Sequence, residues 1–267
     1  MDADVKGLAV VGPQDQGQVD SLQRGLEVLR LFDSRHKHLS ASEIAAKLGL
    51  TRATTLKLLS TLTSANFLRF DSQRDAFEPH VACLALGRAA RRGLEVVRVA
   101  APLMRQLTEV AGVQLYLSTR DRLHMLVLEH CTPPGQEEST LGTGARLPIA
   151  PSASGRAYLW AQKPAQQAEL IELLKAANQE SVYRFMPGVY AAFQELEEQG
   201  WCFVPSPITH ESNSIAAPVH LRGSSEFVVA AMSVGTADSE QNLREVVGPQ
   251  LLRVCAQIGR SLDGTLG

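Results

Sequence analysis

The stretch LSASEIAAKLGLTRATTLKLLSTLTSANF, from Leu39 to Phe67, decides how the chain folds. Ser40 stands three residues before Glu43, the spacing of a capping box, and opens a short helix whose apolar face is Ile44, Ala45 and Leu48. Gly49 follows where a helix C-terminus needs a residue free to adopt positive φ. Thr51 then caps a second helix that runs to Ala65 without an acidic residue, although the chain carries 28 Asp and Glu against 26 Lys and Arg. Hydroxyls and cations crowd the front of that helix: Thr51, Arg52, Thr54, Thr55 and Lys57. Short helix, glycine turn and second helix is the order of a helix-turn-helix, and Ala45 is small enough to let the two helices approach.

The flanks extend the pattern. Upstream, SLQRGLEVLRLF predicts a helix capped by Ser21 and buried along Leu22, Leu26, Leu29 and Phe32. Downstream, FLRFDSQRDAF alternates on both sides of a polar turn and predicts a two-stranded hairpin. Residues 20–80 therefore read as a winged helix-turn-helix. In such a module the N-terminal residues of the second helix reach base edges in the major groove, and phosphates repel a carboxylate there. Arg52, Thr54, Thr55 and Lys57 are the candidate DNA contacts on the exposed face, with Leu56 and Leu59 anchoring the helix from behind. Arg69 and Arg74 on the hairpin have two readings, a solvated turn and a phosphate-touching wing. The competing account of Thr51–Ala65, a core helix with a solvated polar face, leaves the glycine turn and basic hairpin unexplained.

Charge is distributed to match. The net charge of -2 hides a front segment, residues 20–98, with 13 basic and 8 acidic residues (+5). The remainder from Val99 has 12 basic and 17 acidic (-5), and the first 19 residues add -2. A basic front on an acidic body suits a polyanion-binding module. Residues 1–19 are polar and aperiodic, predicting a mobile tail, and Asp2 and Asp4 stand where a signal peptide needs basic residues. No apolar run approaches the roughly 20 residues that span a bilayer. Cys83, Cys131, Cys202 and Cys255 form no CxxC pair, which predicts buried thiols in a reducing cytoplasm.

The rest of the chain predicts a linker helix over 81–97 and then an α+β domain over 98–264. Helices are expected at LEVVRVAAPLMRQLTEVAG, from Ser152, at Gln166–Ala176, at Pro187–Gln199 and at NLREVVGPQLLRVCAQIGRSL. Strands are expected at VQLYLS, HMLVLEH, WCFV, SIAAPVHL and FVVAAMSV, forming an antiparallel sheet. In RLPIAPSASGRAYLW a strand end, small residues and a helix start leave free backbone N–H groups, a natural place for a carboxylate or phosphate. Any capped helix looks similar, so this motif reads equally as a plain cap. Ser152 or Ser154 as nucleophile lacks a GxSxG setting and a base. His36 and His38 flank Lys37 in a solvated loop, and His130 beside Cys131 lacks a spaced third metal ligand. His210, in PSPITHES, is either a pocket wall or part of a surface loop. No cofactor, metal or catalytic residue is expected. The rival class, a small-molecule enzyme with an accessory nucleic-acid domain, needs a convergent acid, base or nucleophile set that the C-terminal half does not offer.

From Val19 to Leu262 the order of motifs resembles the IclR family of bacterial transcriptional regulators. SLQRGLEVLRLF, LSASEIAAKLGLTRATTLKLLSTLTSANFLRFD, GARLPIAPSASGRAYLW, GWCFVPSPITHESNSIAAPV and VVAAMSVG carry the likeness. The resemblance implies a GAF-like effector-binding domain behind the winged helix. It also implies dimers or dimers of dimers on palindromic promoter DNA, responding to a small organic acid. It places the effector carboxylate on the backbone amides of Ala153 and Ser154. Other polar contacts of the family fall on Val204, where relatives carry an acid, on Ser214, where they carry a cysteine, and on Ser233, which is kept. A second serine is Gly235 here, and the acidic run reads PSP from Pro205 to Pro207, close to His210. Losing a carboxylate lowers the cost of burying an apolar ligand. The expected effector is therefore more apolar than glyoxylate-like acids, an aromatic acid held at Ala153 and Ser154.

Overall fold

Ser40 and Glu43 form the capping box. The Ser40 hydroxyl accepts the Glu43 amide at 3.2 Å, and the Glu43 carboxylate accepts the Ser40 amide at 2.8 Å. This is a computed structural model that describes residues 19–33, 36–136, 141–177, 179–205, 212–222, 224–234 and 239–265. The chain divides into two units, Met1–Arg91 and Arg92–Gly267. The first holds α1 (Asp20–Arg30), α2 (Ala41–Leu48), α3 (Arg52–Ser64), the hairpin β1 (Leu68–Asp71) and β2 (Ala76–Pro79), and most of α4 (Val81–Gly93). Gly49 closes α2 at φ 64°, and Thr51 caps α3 by accepting the Thr54 amide. Val28, Leu39, Ile44, Leu59 and Leu68 make a core between the helices and the hairpin.

Several details depart from the sequence expectation. Ser21 is not the cap of α1: the chain is already extended at Val19, whose carbonyl accepts the Leu22 and Gln23 amides. Leu22 and Leu26 are exposed, because α1 packs through Gly25 and Val28, a stripe rotated from the leucine spacing. Thr55 is buried, and its hydroxyl donates to the Thr51 carbonyl at 3.0 Å rather than facing out. Leu56 is 45% exposed and belongs to the outer face of α3, so Leu59 anchors the helix without it. One division does follow the sequence: α4 ends at Gly93 and α5 begins after an extended Leu94, where the connector gives way to the longer helix.

The second unit runs α5 (Glu95–Ala111), β3 (Gln114–Asp121), β4 (His124–Cys131), β5 (Arg146–Pro148), α6 (Ala153–Trp160), α7 (Pro164–Ala177), α8 (Gln179–Gln199), β6 (Cys202–Val204), β7 (Ser212–Leu221), β8 (Ser224–Val234), α9 (Ser239–Asn242) and α10 (Gly248–Thr265). The strands form one antiparallel sheet in the order β5-β4-β3-β8-β7-β6. Period-two alternation sends Leu115, Leu117, Ile215, Ala217, Val229 and Ala231 toward α5 and α10. The intervening Ala216, Val228 and Ala230 pack with Ala153, Ala157 and Leu196 on the other face. Helices on both faces explain why SIAAPVHL reads as nearly unbroken apolar sequence. Pro187 lies inside α8 instead of opening it. The closing segment is not one helix: a π-helical turn, Leu243–Val247, separates α9 from α10 just before Pro249, which has no N–H to donate.

Candidate functional sites

The start of α3 is an exposed cationic surface. The Thr51 hydroxyl accepts the Thr54 amide and shares a hydrogen bond with the Thr54 hydroxyl, and the Thr51 carbonyl accepts the Thr55 amide, which leaves the Arg52 and Ala53 amides outside the helix ladder. Arg52 and Lys57 are exposed, and among the described residues no carboxylate pairs with either. The helix dipole adds partial positive charge at the same end. Thr54 is half-buried with its hydroxyl 2.9 Å from that of Thr51, so it serves the cap as well as the surface. Leu56, expected behind the helix, and Ser60, to which the sequence assigns no role, share the exposed face.

The hairpin cations are engaged at home. Arg69 pairs across the strands with its register partner Glu78, which also lies 3.1 Å from His38. Arg74 pairs with Asp71 at 2.5 Å, and this guanidinium holds the Asp71 carboxyl below the ordinary aspartate range. Their charge is largely balanced within the hairpin.

The start of α6 is a second N-terminus in different surroundings. Ser152 accepts the Gly155 amide at 3.1 Å and donates its own proton to the Pro148 carbonyl at 2.7 Å. Ala153 is 4% and Ser154 2% exposed, and among the described residues neither amide has a hydrogen-bond partner. Gly155 must be glycine, since a Cβ there would stand 2.1 Å from the Ile149 carbonyl oxygen. Arg156, one residue on, is a buried cation that sequence reasoning missed. It donates through Nε to the Ala150 carbonyl and through Nη1 to Gly188 of α8, each at 2.9 Å. Burial pulls its pKa below the ordinary arginine value, with the nearby Cys202 and Glu195 opposing the shift. Two unsatisfied amides and a buried guanidinium in the same turn favour a small anion.

The remaining expected effector positions divide between the faces of the sheet. Cys202 on β6 points its thiol at the Ala153 carbonyl, 3.7 Å away, and burial pushes that thiol up to about 12. Val204 is buried in the same cluster as Ala153, and Ser214 is its cross-strand partner on β7. Ser233 pairs with Asn213, and alternation along β8 puts it on the α5/α10 side with Ala231, away from Ser214. The structure thus joins Ala153, Ser154, Val204 and Ser214 but not Ser233. His210 and Gly235 lie outside the described residues. An open cleft of about 490 Å³ lies at the hairpin end of β7 and β8, lined by Glu95, Glu226 and Asp263. Arg222 also lines it, but the three carboxylates outnumber that cation and disfavour an anionic effector.

Comparison with known proteins agrees with this fold. The family description "IclR helix-turn-helix domain" matches residues 21–72, and "Bacterial transcriptional regulator IclR C-terminal" matches residues 89–263. The HTH-type transcriptional regulator TsaQ1/TsaQ2 of Comamonas testosteroni is 27% identical over 245 residues, covering 91% of this chain and 88% of the relative. The crystal structure of an IclR family transcriptional regulator from Brucella abortus superposes with a TM-score of 0.85 at 28% identity, over 94% of this chain and 95% of that one. An IclR homologue from Microbacterium hydrocarbonoxydans, complexed with 4-hydroxybenzoate, shares the fold at TM-score 0.67 and 17% identity, over 91% of this chain and 99% of that one.

Proposed function

The chain belongs to the IclR family of bacterial transcriptional regulators, a DNA-binding module followed by an effector-binding domain, and on that premise we propose how it works. It binds a palindromic promoter site as a dimer or dimer of dimers, with α3 of each copy in the major groove of one half-site. Arg52 and Lys57 make the leading contacts, and Arg69 and Arg74 stay in their hairpin ion pairs. A small aromatic acid binds at the start of α6, its carboxylate on the amides of Ala153 and Ser154. Binding changes the population of arrangements in which two recognition helices match their half-sites, by as much as the acid's affinity differs between them.

The single observation that carries the reading is the exposed, acid-free start of α3 with two unpaired cations. The ligand class is supported by buried amides with no partner, by Val204 where an acid would favour smaller polar effectors, and by a shared fold that holds 4-hydroxybenzoate elsewhere. A gel-shift on DNA upstream of the gene and its neighbours tests the first part. Retarded bands that unrelated DNA does not compete away at physiological salt support it, and retardation equal for all sequences sinks it. Isothermal titration across aliphatic and aromatic acids tests the second, and tight binding confined to small hydroxy- or keto-acids would overturn it.

A further inference from the structure

The sheet register sets four side chains in a line on the face that carries α6. Gln114 on β3 is partnered by Met232 on β8, Met232 by Ser214 on β7, and Ser214 by Val204 on β6. The line passes between two apolar clusters on that face: Val204 belongs to the cluster of Ala153, and Met232 packs on the cluster of Tyr116, Val127 and Ala145. Among the described residues only the partly buried Leu147 packs on both. Strand spacing of about 4.8 Å puts Gln114 some two spacings from Ser214.

Gln114 is the unusual member. It is 4% exposed, and its amide oxygen accepts the Tyr116 hydroxyl at 2.6 Å. Tyr116 is in turn fixed by stacking on His130, with ring centroids 4.6 Å apart. That bond orients the amide and leaves its nitrogen, with two N–H donors, without a partner among the described residues. That nitrogen is not sealed from solvent, so its donors stay available to an incoming acceptor. Met232 and Val204 share the line and the face, and their thioether and isopropyl groups suit an apolar ring.

Resting on the aromatic-acid reading above, we propose that Gln114 is the specificity-determining residue at the far end of the effector site. It donates to a hydrogen-bond acceptor on the ring of a hydroxylated aromatic acid whose carboxylate is held at Ala153 and Ser154. Tyr116 acts as a positioning residue that holds the amide in the donating orientation.

Isothermal titration of the full chain with para-hydroxybenzoate and para-methylbenzoate, and with the corresponding meta pair, tests this. The methyl group fills the same space but accepts nothing. The wild-type protein is expected to prefer the hydroxy member of one pair by about tenfold, the worth of one hydrogen bond. Gln114→Leu removes that preference and leaves affinity for the methyl compound unchanged. Gln114→Met, closer in length and flexibility, gives the same result should the leucine variant fold poorly. A preference that survives in both variants, or no preference in the wild type, overturns the assignment while the effector reading stands. Equal loss of every acid in both variants also overturns it, since Gln114 would then act by packing alone. A wild-type protein that binds none of these acids overturns the aromatic reading and this inference together.

Discussion

α3 and α6 begin alike. Thr51 accepts the Thr54 amide at 3.2 Å and Ser152 accepts the Gly155 amide at 3.1 Å, and each cap leaves the two amides that follow it outside the helix ladder. Around α3 those amides belong to exposed residues, and Arg52 and Lys57 add charge that water keeps solvated. Around α6 they belong to buried residues, beside a buried guanidinium. The first arrangement suits a large polyanion that docks from outside and releases counterions. The second suits one small anion that pays for its own desolvation with two backbone hydrogen bonds. Burial, not the cap, separates the two roles.

The largest expected effect comes from breaking the buried start. Gly155→Ala puts a Cβ against the Ile149 backbone, which should cost about 1–3 kcal/mol of unit stability. Acid binding by isothermal titration should disappear, while the first unit keeps its helical spectrum. Next comes the exposed start. Arg52→Ala and Lys57→Ala should each weaken operator binding and lower the salt slope of binding by about 1, with acid titration unchanged. A salt slope unaltered in both variants removes them from the contact set.

Smaller effects compare the caps themselves. Thr51→Ala and Ser152→Ala should each cost about 1 kcal/mol in thermal unfolding. Ser152→Ala alone should also weaken acid binding, because the same hydroxyl anchors the Pro148 carbonyl. The smallest effect is a pH dependence. The Ser40 amide and hydroxyl hold Glu43 below the ordinary carboxylate pKa. Its contribution is therefore present above the unfolded value and lost as pH falls through the lowered folded value. Glu43→Gln, which removes the titrating carboxyl, should flatten that acid-side slope of stability against pH; an unchanged slope would show that the Glu43 carboxylate contributes nothing.

What the sequence made legible was local. The capping box at Ser40, the positive-φ turn at Gly49, the cap at Thr51 and the hairpin each depend on residues a few positions apart, and each forms where expected. Leucine spacing failed at Leu22 and Leu26 because the helix turns Gly25 and Val28 inward, while Leu29 and Phe32 pack on the core as expected. Face assignment failed at Thr55 and Leu56, since a threonine can satisfy its hydroxyl on its own helix and bury its methyl. The effector site was less legible because it is assembled at long range. Arg156 gains meaning only from Gly188 on α8. Gln114 meets Ser214 only through a register that runs across β8. Ser233 and Ser214 look equivalent in the sequence, yet alternation sends them to opposite faces.

The central claim is that anion capture at the buried start of α6 governs DNA capture at the exposed start of α3. Fluorescence anisotropy of an upstream DNA fragment, titrated with the full chain with and without saturating 4-hydroxybenzoate, tests it most directly. Isotherms separated several-fold are expected in the wild-type protein, with a weaker pair at the same separation in Arg52→Ala. Superimposed isotherms, in a protein shown by calorimetry to bind the acid, would contradict it.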